Sequence, residues 1–207
     1  MNRKNAVIVA AAACVAIVVS CLCLDHPVAL AVNGWFLKNR AVAHYVADLP
    51  DLLFPAVLAV TCLLWVGYFY CIRRGIRGGR TAFFRLAAWT VPLAFILKSV
   101  LKQLFGRVNT RFWLLHQAGS DFRWFHGDEN YSGFPSGHMA VFTAFVAGAW
   151  LYYPRLRPVY AGLLMLLGAA LIATDYHFPS DVLAGACLGL LVNFCVDRCL
   201  NTPGRRN

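Results

Sequence analysis

Three short stretches carry side chains whose types and spacing could do chemistry together. The stretch Thr174-Asp175-Tyr176-His177-Phe178-Pro179-Ser180-Asp181 sets a histidine four residues before a carboxylate. If it is helical or tightly turned, Asp181 can hold one ring nitrogen of His177 and leave the other free to attack phosphorus. The same residues also suit a plain helix start at Pro179 and Ser180, with Asp181 facing the helix dipole. Pro135-Ser136-Gly137-His138 reads as another helix start. Unpaired backbone N–H groups and the positive end of a dipole bind phosphate there, and His138 can give or take a proton near neutral pH. Lys98 and Lys102 share one helix face, and Arg107 and Arg111 follow. Lysines at a helix end often only snorkel to the interface, but beside a phosphate site such cations bind its charge and stabilise a phosphorane-like transition state.

These clusters need elements that bring them together. Hydrophobic residues make up 60% of the 207 and charged residues 14%, with a mean hydropathy of +0.60, whereas a soluble domain carries roughly 25% charged residues. That balance excludes a soluble globular fold, and the chain has neither the polarity of a disordered chain nor the repeats of collagen or a long coiled coil. It predicts an all-α polytopic membrane bundle forming a single domain over 1–207. Six apolar runs approach the roughly 20 residues a bilayer core requires, near 6–24, 50–72, 83–104, 137–153, 158–174 and 182–199. The first follows Asn2, Arg3 and Lys4 as a signal peptide would. It is longer than a usual signal core and ends in Cys21-Leu22-Cys23-Leu24-Asp25 without a clear cleavage site, so a retained helix is expected.

With both termini in the cytoplasm, Arg3, Lys4, Arg73, Arg74, Arg77, Arg80, Arg85, Arg155, Arg157, Arg198, Arg205 and Arg206 gather on that side with a single acid, Asp197. The +10 net charge is thus mainly a topology signal, and this face can also meet anionic membrane lipids. Nucleic acid is not an expected partner, because these arginines are spread over short loops. The eight cysteines lie in or beside apolar runs and read as small membrane-packing side chains. On the outer side, residues 26–49 suit an interfacial helix, and 106–136 is long enough to be a folded segment at headgroup depth. The three chemical clusters sit at the outer ends of the third to sixth runs, where a compact bundle would join them.

The order and spacing of the clusters resemble the type 2 phosphatidic acid phosphatase family, membrane lipid phosphatases related to vanadium haloperoxidases. The family pattern is a lysine followed after six residues by Arg-Pro, then Pro-Ser-Gly-His, then Ser-Arg, five residues, His, three residues and Asp. Pro135-Ser136-Gly137-His138 matches the second element fully, and the resemblance covers about 98–185. With Lys102 aligned, Asn109 and Thr110 stand where Arg-Pro belongs; with His177 aligned, Ala170 and Leu171 stand where Ser-Arg belongs.

The resemblance implies His177 as the nucleophile of a phosphohistidine, Asp181 as its orienting acid and His138 as proton donor and later base. It also implies Ser136, the Gly137 backbone N–H and Lys102 as phosphate ligands, with no cofactor and no metal. Arg107 and Arg111 are the expected substitutes for the two missing arginines, with Lys98 or Arg123 behind them. The implied activity is hydrolysis of a lipid phosphate at the outer leaflet, in a bacterial inner membrane with the site on the periplasmic side. Undecaprenyl diphosphate, phosphatidic acid, phosphatidylglycerol phosphate and lipid A phosphates all fit. Lipid phosphotransfer, or a binder or transporter that keeps the fold without the chemistry, are the alternatives; the oligomeric state is left open.

Overall fold

The computed structural model describes residues 3–38, 53–117 and 121–201. All regular elements among the described residues are helical. In chain order they are α1 (Arg3–Val19), a π-helical turn (Ser20–Leu24), α2 (Asp25–Lys38), α3 (Leu53–Arg73), α4 (Gly79–Phe105), α5 (Thr110–His116), α6 (Gly137–Tyr152), α7 (Arg157–Ala173) and α8 (Pro179–Leu200). A 3-10 turn, Pro154–Leu156, leads into α7.

Among the described residues, five helices are long and apolar enough to cross a membrane: Ala10–Gly34, Leu53–Arg73, Gly79–Phe105, Pro154–Ala173 and Pro179–Leu200. The fourth expected run forms α6, which at 16 residues rises only about 24 Å. Sequence places the end of the first run before Asp25, because a charge stands there. The apolar helix instead continues to Gly34, since Asp25 turns inward and is satisfied by other parts of the protein. The expected interfacial stretch is therefore helical up to Lys38, and 39–49 lies outside the described residues.

The π turn has a local cause. Pro27 has no N–H for the carbonyl four residues earlier, and its ring would crowd that carbonyl. The Asp25 N–H donates instead to the Ser20 carbonyl, five residues back. This register puts Ser20 and Asp25 on one face, and both are buried.

α6 is the centre of the bundle, packing against α4 and α8, while α3 lies on α4 and α1 on α8. The core joins Val57 and Leu64 of α3, Ala87, Val91 and Ala94 of α4, Val141 and Ala144 of α6, and Val192 of α8. Small residues let these backbones approach, as is usual for helices in lipid. A Cβ on Gly185 or Gly189 of α8 would strike the carbonyl oxygens of Ser136 or Ala140. Large apolar side chains such as Leu58, Leu63, Val66, Ile96 and Leu166 face outward, as a helix facing lipid requires.

The segment after α4 is folded. Gly106 ends α4 with φ +51, and a Cβ there would collide with the Arg123 carbonyl. Backbone bonds from Val108 to Asp121, Asn109 to Asn130 and Gly133 to Arg107 pin the segment to itself. Val108, Trp113 and Tyr131 pack with Ala29 of α2 and with Phe178, so the N-terminal helix and the start of α8 share one small core.

Candidate active site

Two helix starts meet at the end of the bundle remote from Arg73 and Arg77. α6 begins after Ser136, whose Oγ accepts the Met139 N–H at 3.4 Å. α8 begins at Pro179, and Asp181 accepts the Phe178 N–H at 3.0 Å, serving as a first-turn cap. The Ser136 N–H donates to the Asp181 carbonyl at 3.0 Å, which ties the two starts directly.

His177 stands one residue before the α8 cap and is buried, with its Nδ1 3.6 Å from Asp181 Oδ2. That distance is ion-pair range but too long for a hydrogen bond, and Nδ1 has no hydrogen-bond partner. Asp181 therefore caps the helix through the Phe178 N–H, and the same carboxylate lies in ion-pair range of the imidazole. Burial pushes the His177 pKa below its ordinary value; Asp181 opposes this, while Lys102 and Arg107 add to it. The ring is consequently neutral at neutral pH, which a nitrogen nucleophile needs.

Tyr176 links the remaining groups. Its ring meets His138 edge-on at 5.9 Å and His177 at 5.0 Å. Arg111 of α5 lies 5.4 Å from the same ring and donates from Nη2 to the Thr174 carbonyl at 3.2 Å. Asp175 is buried beside it in a left-handed conformation, φ +53. Burial lifts its pKa to about 6 despite the opposing charge of Arg111.

From α4, Lys102 acts electrostatically on both His177 and Asp181. Lys98 lies beside the other helix start, since a Cβ built on Gly137 would sit 3.2 Å from its Cδ. Lys98, Lys102, Arg111, Ser136, Gly137, His138, His177 and Asp181 thus converge as the sequence suggested. Arg123 instead stacks on Tyr131 in the loop, 4.2 Å from that ring.

Arg107 requires a correction. It was expected to offer an open cation, but it has no exposed surface. Its Nη1 donates to Asp181 Oδ1 at 2.6 Å and to Ser180 Oγ, and its Nη2 donates to Asp25 Oδ2 at 2.6 Å. Both terminal nitrogens of the fork are engaged by Asp181, Ser180 and Asp25, while the buried Nε has no hydrogen-bond partner. Burial alone would lower its pKa, but Asp181 and Asp25 outweigh that and hold it above the ordinary value.

The positions of the missing arginines are also occupied. Asn109 donates from Nδ2 to the Glu129 carbonyl at 2.6 Å, and Leu171 is buried beside Met139 and Val182. Asp25, Ser20, Ser180 and Tyr176 were not singled out from sequence. The available signal was Asp25 itself, the sole acid in a largely apolar stretch from Ala10 to Gly34. Among the described residues no group of three His, Cys, Asp and Glu side chains could hold a metal.

Residues 82–205 match the PAP2 superfamily. The chain belongs to that superfamily. The matched region begins within α4 and contains every cluster above, whereas α1, α2 and α3 precede it. Two similar proteins are lipid A 1-phosphatases of Rhizobium johnstonii, 33% identical over 49% of this chain and 41% of that protein, and of Rhizobium etli, 34% identical over 48% and 43%. The chain spans about two fifths of the length of these relatives. No solved structure shows a significant match.

Proposed function

We propose that this PAP2-superfamily protein is a membrane lipid phosphatase acting on a lipid A type phosphate at the outer leaflet. The observation that carries the reading is the meeting of the His177–Asp181 pair with the Ser136–Gly137 helix start, bound together through the Ser136 N–H. The similarity to two lipid A 1-phosphatases favours a glycolipid phosphate over the other lipid classes.

In this reading Ser136, the Gly137 N–H, Lys102 and Arg111 hold the phosphate oxygens, with Lys98 close by. The His177 Nε2 attacks phosphorus while Nδ1–H faces Asp181. A nitrogen–phosphorus bond forms, the phosphorus–oxygen bond to the lipid breaks, and His138 protonates the leaving oxygen. His138 then takes a proton from water, which attacks phosphorus, releases inorganic phosphate and restores His177. Lys102 and Arg111 offset the charge that gathers on the equatorial oxygens.

The site lies at the Lys98–Phe105 end of α4, and the basic loop Arg73–Arg80 lies at the other end, roughly 40 Å away by helical rise. Basic loops favour the cytoplasm, so the site belongs on the outer, periplasmic side of a bacterial inner membrane. α6 completes a six-span bundle with both termini inside.

The test is phosphate release by the full-length protein in liposomes, offered lipid A bearing its phosphates, undecaprenyl diphosphate, phosphatidic acid or phosphatidylglycerol phosphate, beside His177→Ala. Release from lipid A that vanishes in the variant is expected, with 32P from labelled substrate trapped on the wild type after an acid-free quench. Folded wild-type protein that releases phosphate from none of the four would refute the reading.

A further inference from the structure

Asp25 is a carboxylate with no exposed surface, and it is the sole acid in the largely apolar helix from Ala10 to Gly34. Burying such a charge is strongly unfavourable unless it is fully paired, so its partners matter. All of them lie on the path to His177 or on its own helix. Asp25 Oδ2 accepts from Arg107 Nη2 at 2.6 Å and from Ser180 Oγ; Oδ1 accepts the Ser180 N–H at 3.0 Å and Ser20 Oγ at 3.2 Å. Arg107 passes on to Asp181 Oδ1 at 2.6 Å, and the other oxygen of Asp181 faces His177 Nδ1. Neither Asp25 nor Ser20 lies in the region matched to the superfamily.

We propose that Asp25 is a positioning residue for His177, acting through Arg107 and Asp181. Its kinetic consequence rests on the phosphatase reading above; its structural consequence does not. A guanidinium bound to Asp181 alone would draw charge from that carboxylate and weaken it as a partner for the imidazole. Asp25 shares the guanidinium, so Asp181 keeps more of its negative charge on Oδ2, which accepts the Phe178 N–H and faces the imidazole, to balance the positive ring formed when Nε2 bonds to phosphorus. By also gripping the Ser180 N–H and Oγ, Asp25 fixes the first turn of α8 on which Asp181 stands.

The charged and titratable groups around His177 come from every neighbouring element. Lys102 lies on α4, Arg107 after it, Arg111 on α5, His138 on α6, Asp175 and Tyr176 before α8, and Asp181 on α8. On the far side of Arg107 stand Asp25, Asp121 at 3.9 Å and His26, which pairs with Asp121.

The experiment is an NMR pH titration of 15N-histidine-labelled full-length protein in micelles, with the His177 signal assigned through His177→Gln. Removing the negative charge in Asp25→Asn should lower the His177 midpoint by about half a pH unit or more, and removing the positive charge in Arg107→Gln should raise it. The double variant, which removes both buried charges together and so is best placed to fold, should titrate with Arg107→Gln. In the phosphate-release assay Asp25→Asn should lose about tenfold or more in kcat with KM within twofold.

A folded Asp25→Asn protein whose His177 midpoint stays at the wild-type value overturns the proposal. So does a double variant that titrates like the wild type, or one that departs from Arg107→Gln, because Asp25 would then act by another route. If the wild type releases no phosphate, the phosphatase reading falls, while the titration still decides the role of Asp25.

Discussion

Asp175→Asn should stabilise the protein at neutral pH and leave its stability unchanged in acid. Asp175 is buried, its Oδ1 has no hydrogen-bond partner, and burial lifts its pKa from 3.8 to about 6 against the pull of Arg111. The folded state therefore keeps a proton that the unfolded chain gives up near pH 4. Between those two values unfolding releases a proton, so wild-type stability falls as the pH rises and levels off above about 6. A shift of that size corresponds to at most about 3 kcal/mol. Asparagine carries no charge, matches the protonated carboxyl in shape and tolerates the left-handed backbone at φ +53. At pH 3 the two proteins should differ by less than about 0.5 kcal/mol, and by pH 7.5 the variant should lead by about 1–3 kcal/mol. Reversible unfolding in mixed micelles, followed by tryptophan fluorescence at both values, measures the difference. Equal stability at pH 7.5, or a gain of the same size at both, would refute the reasoning.

Three further outcomes follow from the packing and the site. Arg111→Ala should reduce kcat/KM for phosphate release about 10- to 100-fold, since a charged contact is worth about 1.5–3 kcal/mol, and steady-state kinetics on lipid A would show it; unchanged kinetics would remove Arg111 from the phosphate site. Gly189→Ala should destabilise the bundle by about 2 kcal/mol or more, because its Cβ meets the Ala140 carbonyl of the facing helix; the same unfolding assay measures it. Leu171→Arg, which restores the family residue, should cost about 3 kcal/mol or more without raising activity, because the side chain replaced is buried beside Met139 and Val182.

Short-range features were legible in the sequence. His177 and Asp181 are four apart at a helix start, Ser136 caps its own helix, and apolar runs mark the helices. Local rules govern each of these. The assignment of Arg107 and Arg111 was not legible, because the two arginines look alike in sequence. Their roles part only when Gly106 turns the chain at φ +51 and sends Arg107 inward toward Asp181, while Arg111 turns toward Tyr176. Asp25 was harder still. It meets Ser180 across 155 positions, and the π turn that aims it inward departs from the regular helical spacing on which pattern reading depends.

The bond between Asp25 and Arg107 also bears on how freely this protein could exchange parts with its relatives. The region shared with the superfamily starts at residue 82, and grafting it behind a foreign leading helix would look harmless from that boundary. The graft would leave a guanidinium sealed from solvent with one of its two carboxylates missing. The first helix and the loop after α4 must therefore be inherited as a matched set, and a natural change at either position should be accompanied by a compensating change at the other.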